Sequence, residues 1–91
     1  MFEKYYFEDV PGIGNVAVSR HAQERAESEG ITSRAFEQVL LNGATVSEGE
    51  GVLWREMNGI RIVVLTRPEP FRGAALVKTC FRVQGQAKVI K

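Results

Sequence analysis

The 91-residue sequence predicts a single-domain α+β fold: an N-terminal strand, two helices, then a three- to four-stranded antiparallel β-meander. Three observations carry that expectation. Between Ser19 and Gly43 two helix-length segments are each opened by a capping residue and closed by a glycine. After Gly43 the apolar spacing changes from a period near 3.6 to a period of 2. Asn58-Gly59 then sits between two apolar runs, the strongest short hairpin signal in the chain.

Taken in order, Phe2 to Val10 is rich in aromatic residues and reads as the first strand. Pro11-Gly12-Ile13-Gly14-Asn15 is a turn, because proline presets φ and the glycines accept positive φ. Val16-Ala17-Val18 is a candidate short return strand. Ser19 caps a first helix running to about Glu29, with Gly30 ending it and only Ala22 and Ala26 as apolar content. Thr32 caps a second helix to about Asn42; Ile31 and Phe36 occupy hydrophobic-staple positions, and Phe36, Val39 and Leu40 form its apolar stripe. Glu48-Gly49-Glu50-Gly51 reads as a flexible turn. Strands follow at Val52 to Met57, Ile60 to Thr66 and Ala74 to Val83, with a proline-containing loop from Arg67 to Gly73 between the last two. Ala87-Lys88-Val89-Ile90 is a candidate final edge strand that could pair with a second copy as a homodimer.

Composition narrows the function classes. The longest large-aliphatic run, Ile62-Val63-Val64-Leu65, is far short of the ~20 residues a membrane helix needs, and Met1-Phe2-Glu3-Lys4-Tyr5-Tyr6 does not read as a secretory signal. One cysteine, Cys80, and one histidine, His21, exclude an intramolecular disulfide and any metal site built on several such ligands. The expectation is therefore a cytoplasmic protein with no cofactor and no metal. Net charge is +1, but it is divided unevenly. Residues 1–50 carry four basic and nine acidic side chains (net −5), and residues 51–91 carry eight basic and two acidic (net +6). A basic C-terminal half suits a phosphate-bearing partner; it can equally neutralise the acidic half across the fold.

His21 is the second helical residue if Ser19 is the cap, and an imidazole there is a candidate general base. Arg25 lies four residues on, so both side chains leave one face of the helix. On the hairpin, a two-residue Asn58-Gly59 turn puts Leu53, Arg55, Met57, Ile60, Ile62 and Val64 on one face. Val52, Trp54, Glu56, Arg61, Val63 and Leu65 share the other, where Glu56 and Arg61 face each other as an ion pair. Arg55 is then a cation on an apolar face, which calls for a carboxylate, a route to solvent or an anionic ligand. Alternation along the next strand groups Ala75, Val77, Thr79, Phe81 and Val83 against Leu76, Lys78, Cys80 and Arg82. Thr79 offers a hydroxyl among apolar neighbours, while Lys78 and Arg82 are candidate phosphate contacts or a solvated face. Trp54, Phe71 and Phe81 could stack bases or serve the core. Glu24, Glu27 and Glu29 read as a solvated helix face, and Gly12-Ile13-Gly14 lacks the rest of a dinucleotide fingerprint.

The segment Val18-Ser19-Arg20-His21-Ala22-Gln23-Glu24-Arg25, followed by Gly30-Ile31, a helix ending Val39-Leu40-Leu41-Asn42-Gly43 and the strand Val77-Lys78-Thr79-Cys80-Phe81, resembles a small bacterial and phage family. That family has a His-Ala-x-x-Arg helix and is similar to RelE- and BrnT-type toxins, within the barnase–colicin–RelE group of metal-independent ribonucleases. The resemblance covers roughly residues 16–84. It implies a RelE/BrnT-like fold and a toxin or phage nuclease acting on RNA, including ribosome-bound mRNA, with a protein antitoxin as partner. It further implies cleavage by the ribose 2′-hydroxyl, with His21 as base or acid, Arg25 and Arg55 stabilising charge on the phosphate, and Thr79 or Lys78 holding a phosphate oxygen. Arg61, Lys78 and Arg82 are the expected RNA-binding residues. A charge of only +1, the acids Glu24 and Glu27 beside His21, and the lack of a second histidine depart from the family pattern. The rival expectation is a non-catalytic phage or mobile-element protein whose acidic half binds and inhibits a host protein.

Overall fold

The computed structural model describes residues 4–66 and 73–83. The chain is α+β, but the expected strand–helices–meander arrangement is corrected. One sheet of six strands carries two helices, in the order β1-β2-β6-β5-β4-β3. The strands are β1 (Tyr6–Val10), β2 (Gly14–Val18), β3 (Ala44–Gly49), β4 (Val52–Met57), β5 (Ile60–Leu65) and β6 (Ala75–Arg82), and the helices are α1 (Arg20–Ser28) and α2 (Ser33–Asn42). Two features overturn the expectation. Ala44–Gly49 is a strand, and β2 pairs in parallel with β6, so the N-terminal hairpin and the C-terminal strands form one mixed sheet. The candidate strand at 87–90, with the homodimer edge it offered, and most of the 67–73 loop lie outside the described residues.

Local chemistry explains the turns. Pro11 and Gly12 form the centre of a turn closed by the Ile13 amide donating to the Val10 carbonyl at 3.0 Å, with Gly12 at φ +79°. Glu50-Gly51 and Asn58-Gly59 both take positive φ at two successive residues, the two-residue hairpin geometry that matches strand twist. Ser19 and Thr32 accept from the Ala22 and Ala35 amides, as N-caps do. At the end of α1, Gly30 donates to Glu27 and Ile31 to Ala26, the paired bonds of a glycine-terminated helix.

Both helices cover one face of the sheet. Phe36, Val39 and Leu40 of α2 meet Leu53, Ile62 and Val64, while Ala22 and Ala26 of α1 lie against β6. The alanines that made α1 look thinly apolar let it approach closely: the Cys80 thiol reaches the Ala22 carbonyl at 3.5 Å. The hairpin faces read from Asn58-Gly59 hold, with Trp54 opposite Val63 and Glu56 opposite Arg61. Strict alternation along β6 does not. Val64 pairs with Val77 but Val63 pairs with Thr79, so Lys78 is an extra residue and a bulge. Beyond it the parity reverses. Cys80 and Arg82 turn to the helices, while Thr79 and Phe81 join Leu76 on the other face. On that other face Trp54, Arg61, Val63, Leu76, Thr79 and Phe81 are half-buried. No helix among the described residues is long and apolar enough to cross a membrane.

Candidate functional site

β2 ends where Val18 pairs with Val77, so the rest of β6 has a strand on one side only. α1 fills the open side. Ser19 donates its amide to Val77 at 3.2 Å and its hydroxyl to the Lys78 carbonyl at 3.3 Å. At the far end Glu29 accepts the Arg82 amide at 3.2 Å. The helix thus runs beside the second half of β6 from the bulge to the strand end, and a seam forms along its flank.

His21 is the second residue of α1, exposed, two positions after the cap that bonds Lys78. Lys78 is exposed on the bulge. Arg25, one turn after His21 on the same flank, places its guanidinium 5.8 Å from the Phe81 ring centroid and pairs with Glu29 at 3.3 Å. Thr79 is half-buried, and its Oγ1 is shielded and without a hydrogen-bond partner. The Ser19 bonds thus bring the start of α1, where His21 sits, to the bulge that carries Lys78, and Arg25 meets β6 at Phe81; Thr79 lies on the sheet face turned away from the helices.

Arg55 is elsewhere. It is 4% exposed, and its guanidinium donates to the Leu40 carbonyl at 2.9 Å, the Pro11 carbonyl at 3.0 Å and the Thr45 hydroxyl at 3.4 Å. The cation on an apolar face is answered by backbone carbonyls, which the sequence reading did not consider. It ties the C-terminal end of α2 to the β1–β2 turn, where orphan carbonyls and the helix dipole favour a cation. Burial lowers its pKa, and Glu48 partly opposes that. Gly43 is required here by close approach: a Cβ would lie 2.5 Å from the Val39 carbonyl oxygen and 2.9 Å from Arg55 Cγ. With its donors turned inward, Arg55 does not meet the α1–β6 seam.

Two further expected RNA contacts have internal partners. Arg82 donates Nε to the Glu29 carbonyl at 2.9 Å and a terminal nitrogen to the Gly30 carbonyl at 3.0 Å, capping α1. Arg61 binds Glu56 at 2.7 Å and lies 4.5 Å above the Trp54 ring. Cys80 is fully buried, and burial pushes its thiol up to about 11, against the weaker influence of Arg25; at neutral pH it is a protonated core group, not a nucleophile. Among the described residues no group of His, Cys, Asp and Glu is arranged to hold a metal ion. Arg20, exposed at the first position of α1, adds a cation beside His21 that the sequence reading did not single out; a basic residue directly after a cap was its signal. Comparison with protein-family models, with curated proteins and with solved structures gave no match in any of the three.

Proposed function

We propose that this domain acts on RNA as a metal-independent endoribonuclease-like protein of the toxin or phage-nuclease kind, working at the α1–β6 seam. The observation that carries this reading is the Ser19 hydroxyl bond to the Lys78 carbonyl, which brings the start of α1, with exposed His21 two positions on and Arg25 a turn further, to the bulge that carries exposed Lys78. In the reaction, His21 accepts the proton of a ribose 2′-hydroxyl as O2′ forms its bond to phosphorus. The P–O5′ bond breaks, and the leaving oxygen takes a proton from water. The products are a 2′,3′-cyclic phosphate and a 5′-hydroxyl. Arg25 and Lys78 offset the charge that grows on the phosphate oxygens, while Arg55 leaves this set and holds the scaffold. On this reading the domain works in the cytoplasm, where its buried thiol stays reduced, and an antitoxin that covers the seam would silence it.

The test is cleavage of total RNA and of ribosome-bound mRNA in the presence of a chelator. Wild type is expected to cleave, and His21→Ala to lose cleavage while unfolding at the same urea concentration, because His21 is exposed. Equal cleavage by both would remove His21 from the mechanism. No cleavage by either would favour a second reading, a non-catalytic module that docks on a basic host protein through Glu24 and Glu27. That reading draws support from their exposure on α1. It expects a stoichiometric partner whose capture survives His21→Ala and fails when both glutamates are changed to lysine.

A further inference from the structure

The face of the sheet turned away from the helices carries a row of which the proposed cleavage uses only the first member, Arg25. Arg25 reaches Phe81 from the seam at 5.8 Å. Phe81 sits directly opposite Arg61 in the β5–β6 ladder, where facing side chains stand about 5 Å apart. Arg61 in turn lies 4.5 Å above Trp54 on β4. Cation, ring, cation, ring therefore follow one another from the flank of α1 across three strands. The bulge at Lys78 creates the row: without that extra residue, Phe81 would face the helices and leave the face that carries Arg61 and Trp54.

We propose that this row is a stacking platform for single-stranded RNA, leading from the His21 seam across β6, β5 and β4. The proposal rests on the RNA reading of the seam and names the form of nucleic acid that the seam receives. Rings and planar guanidinium groups stack on bases of any identity, and a sheet face of this width suits roughly two or three of them. Bases must be unpaired to lie there, so a duplex is refused. Charge supports RNA as the occupant. Arg20, Arg25 and Lys78 are exposed at the end of the row where the backbone would pass. Glu56, at 2.7 Å, largely neutralises Arg61, which leaves that guanidinium a flat surface for a base rather than an anchor for phosphate.

Trp54 is the single tryptophan of the chain, so its emission reports on the platform directly. The experiment titrates the 91-residue protein with a 2′-O-methyl uridine oligomer of about eight nucleotides, which cannot be cleaved. Binding is followed by anisotropy of a labelled copy and by Trp54 emission; a blunt duplex of the same length is the comparison. Quenching of Trp54 at the concentration where anisotropy rises, with the duplex bound at least tenfold more weakly, is the expected result. Phe81→Leu, which keeps an apolar side chain, should lower oligomer affinity by about tenfold. Should that variant fail to fold, the wild-type quenching still decides. Oligomer binding with unchanged Trp54 emission, or equal binding of the duplex, overturns the platform and leaves the seam reading standing. No binding of the oligomer, with no cleavage of RNA, overturns both. Trp54 emission that instead changes with protein concentration as a dimer forms assigns the face to a second copy and overturns the platform.

Discussion

Arg55 and Arg25 carry the same planar cation into opposite surroundings. Arg55 lies under α2, and its terminal nitrogens are taken up by the carbonyls of Leu40 and Pro11. Arg25 lies on the outer flank of α1, paired with Glu29 and set against an aromatic ring, with its side chain 42% exposed. The first is closed off from solvent, its Nε included, whereas the second can exchange a weak surface pair for a phosphate. A guanidinium's work is thus decided by what its donors face, and cations that look equivalent as phosphate clamps in the sequence divide into a buried tie and an exposed group.

The sharpest way to break this comparison is to remove the buried member. Arg55→Ala leaves the Leu40 and Pro11 carbonyls unpaired inside the protein and opens a void. A loss of about 3–5 kcal/mol in urea unfolding is expected, a large part of the stability of a domain this small. Arg55→Lys keeps the charge but cannot span both carbonyls, and should cost about 1–3 kcal/mol. At a temperature where the lysine variant is fully folded, RNA turnover should match wild type. A fall in turnover there would put Arg55 back at the phosphate.

How much of this could be read from the chain follows from how local each signal is. Both helices announce themselves within a few residues: Ser19 and Thr32 open them, Gly30 and Gly43 close them, and Ile31 staples onto Phe36. Asn58-Gly59 is equally local. β3 left no such trace. It is one of the sheet's two outer strands and all six of its residues are exposed, so burial imposes no alternation on it, and its turn at Glu50-Gly51 places a non-glycine residue at positive φ. The parallel pairing of Val16–Val18 with Ala75–Val77 joins segments nearly sixty residues apart, a tertiary choice that no short pattern encodes. The site divides in the same way. His21 and Arg25 share a flank because helical spacing requires it, and Arg55 stood out as a cation among apolar neighbours. That carbonyls of α2 and the Pro11 turn would satisfy it depended on how distant elements pack. The bulge at Lys78 broke the alternation on which the β6 face assignment rested, and it alone moved Phe81 to the outer face.

The interior of the seam offers a second, smaller test of where water reaches. Cys80 lies between α1 and β6, and burial raises its thiol from the ordinary 9.0 to about 11. The unfolded chain therefore loses this proton first as pH rises. Between those values the folded state holds more protons than the unfolded state, so stability should fall with increasing pH across that window. Below about pH 9 the contribution is fully present. Lysines and tyrosines titrate nearby, so the measurement is the difference in urea stability between wild type and Cys80→Ala. That difference should shrink from pH 9 to pH 11. A constant difference would mean that solvent enters the seam beneath His21, and the contrast between a dry interior and a wet rim would fail.

The smallest expected change in stability is the most informative about the site. Arg25→Gln removes an exposed ion pair with Glu29, which is worth about 0.5 kcal/mol or less at a surface. The urea midpoint should hardly move, in contrast to Arg55→Lys. Binding of the uridine oligomer should nevertheless weaken, and its dependence on salt should become shallower by roughly one released counterion, because one phosphate contact has gone. Arg82→Gln supplies the reference. Its guanidinium is engaged with the carbonyls of Glu29 and Gly30, so its loss should loosen the end of α1 and leave the salt slope where it was. A salt slope that changes with Arg82 and not with Arg25 would reverse the assignment of scaffold and site along α1, and would move the RNA away from the flank that carries His21.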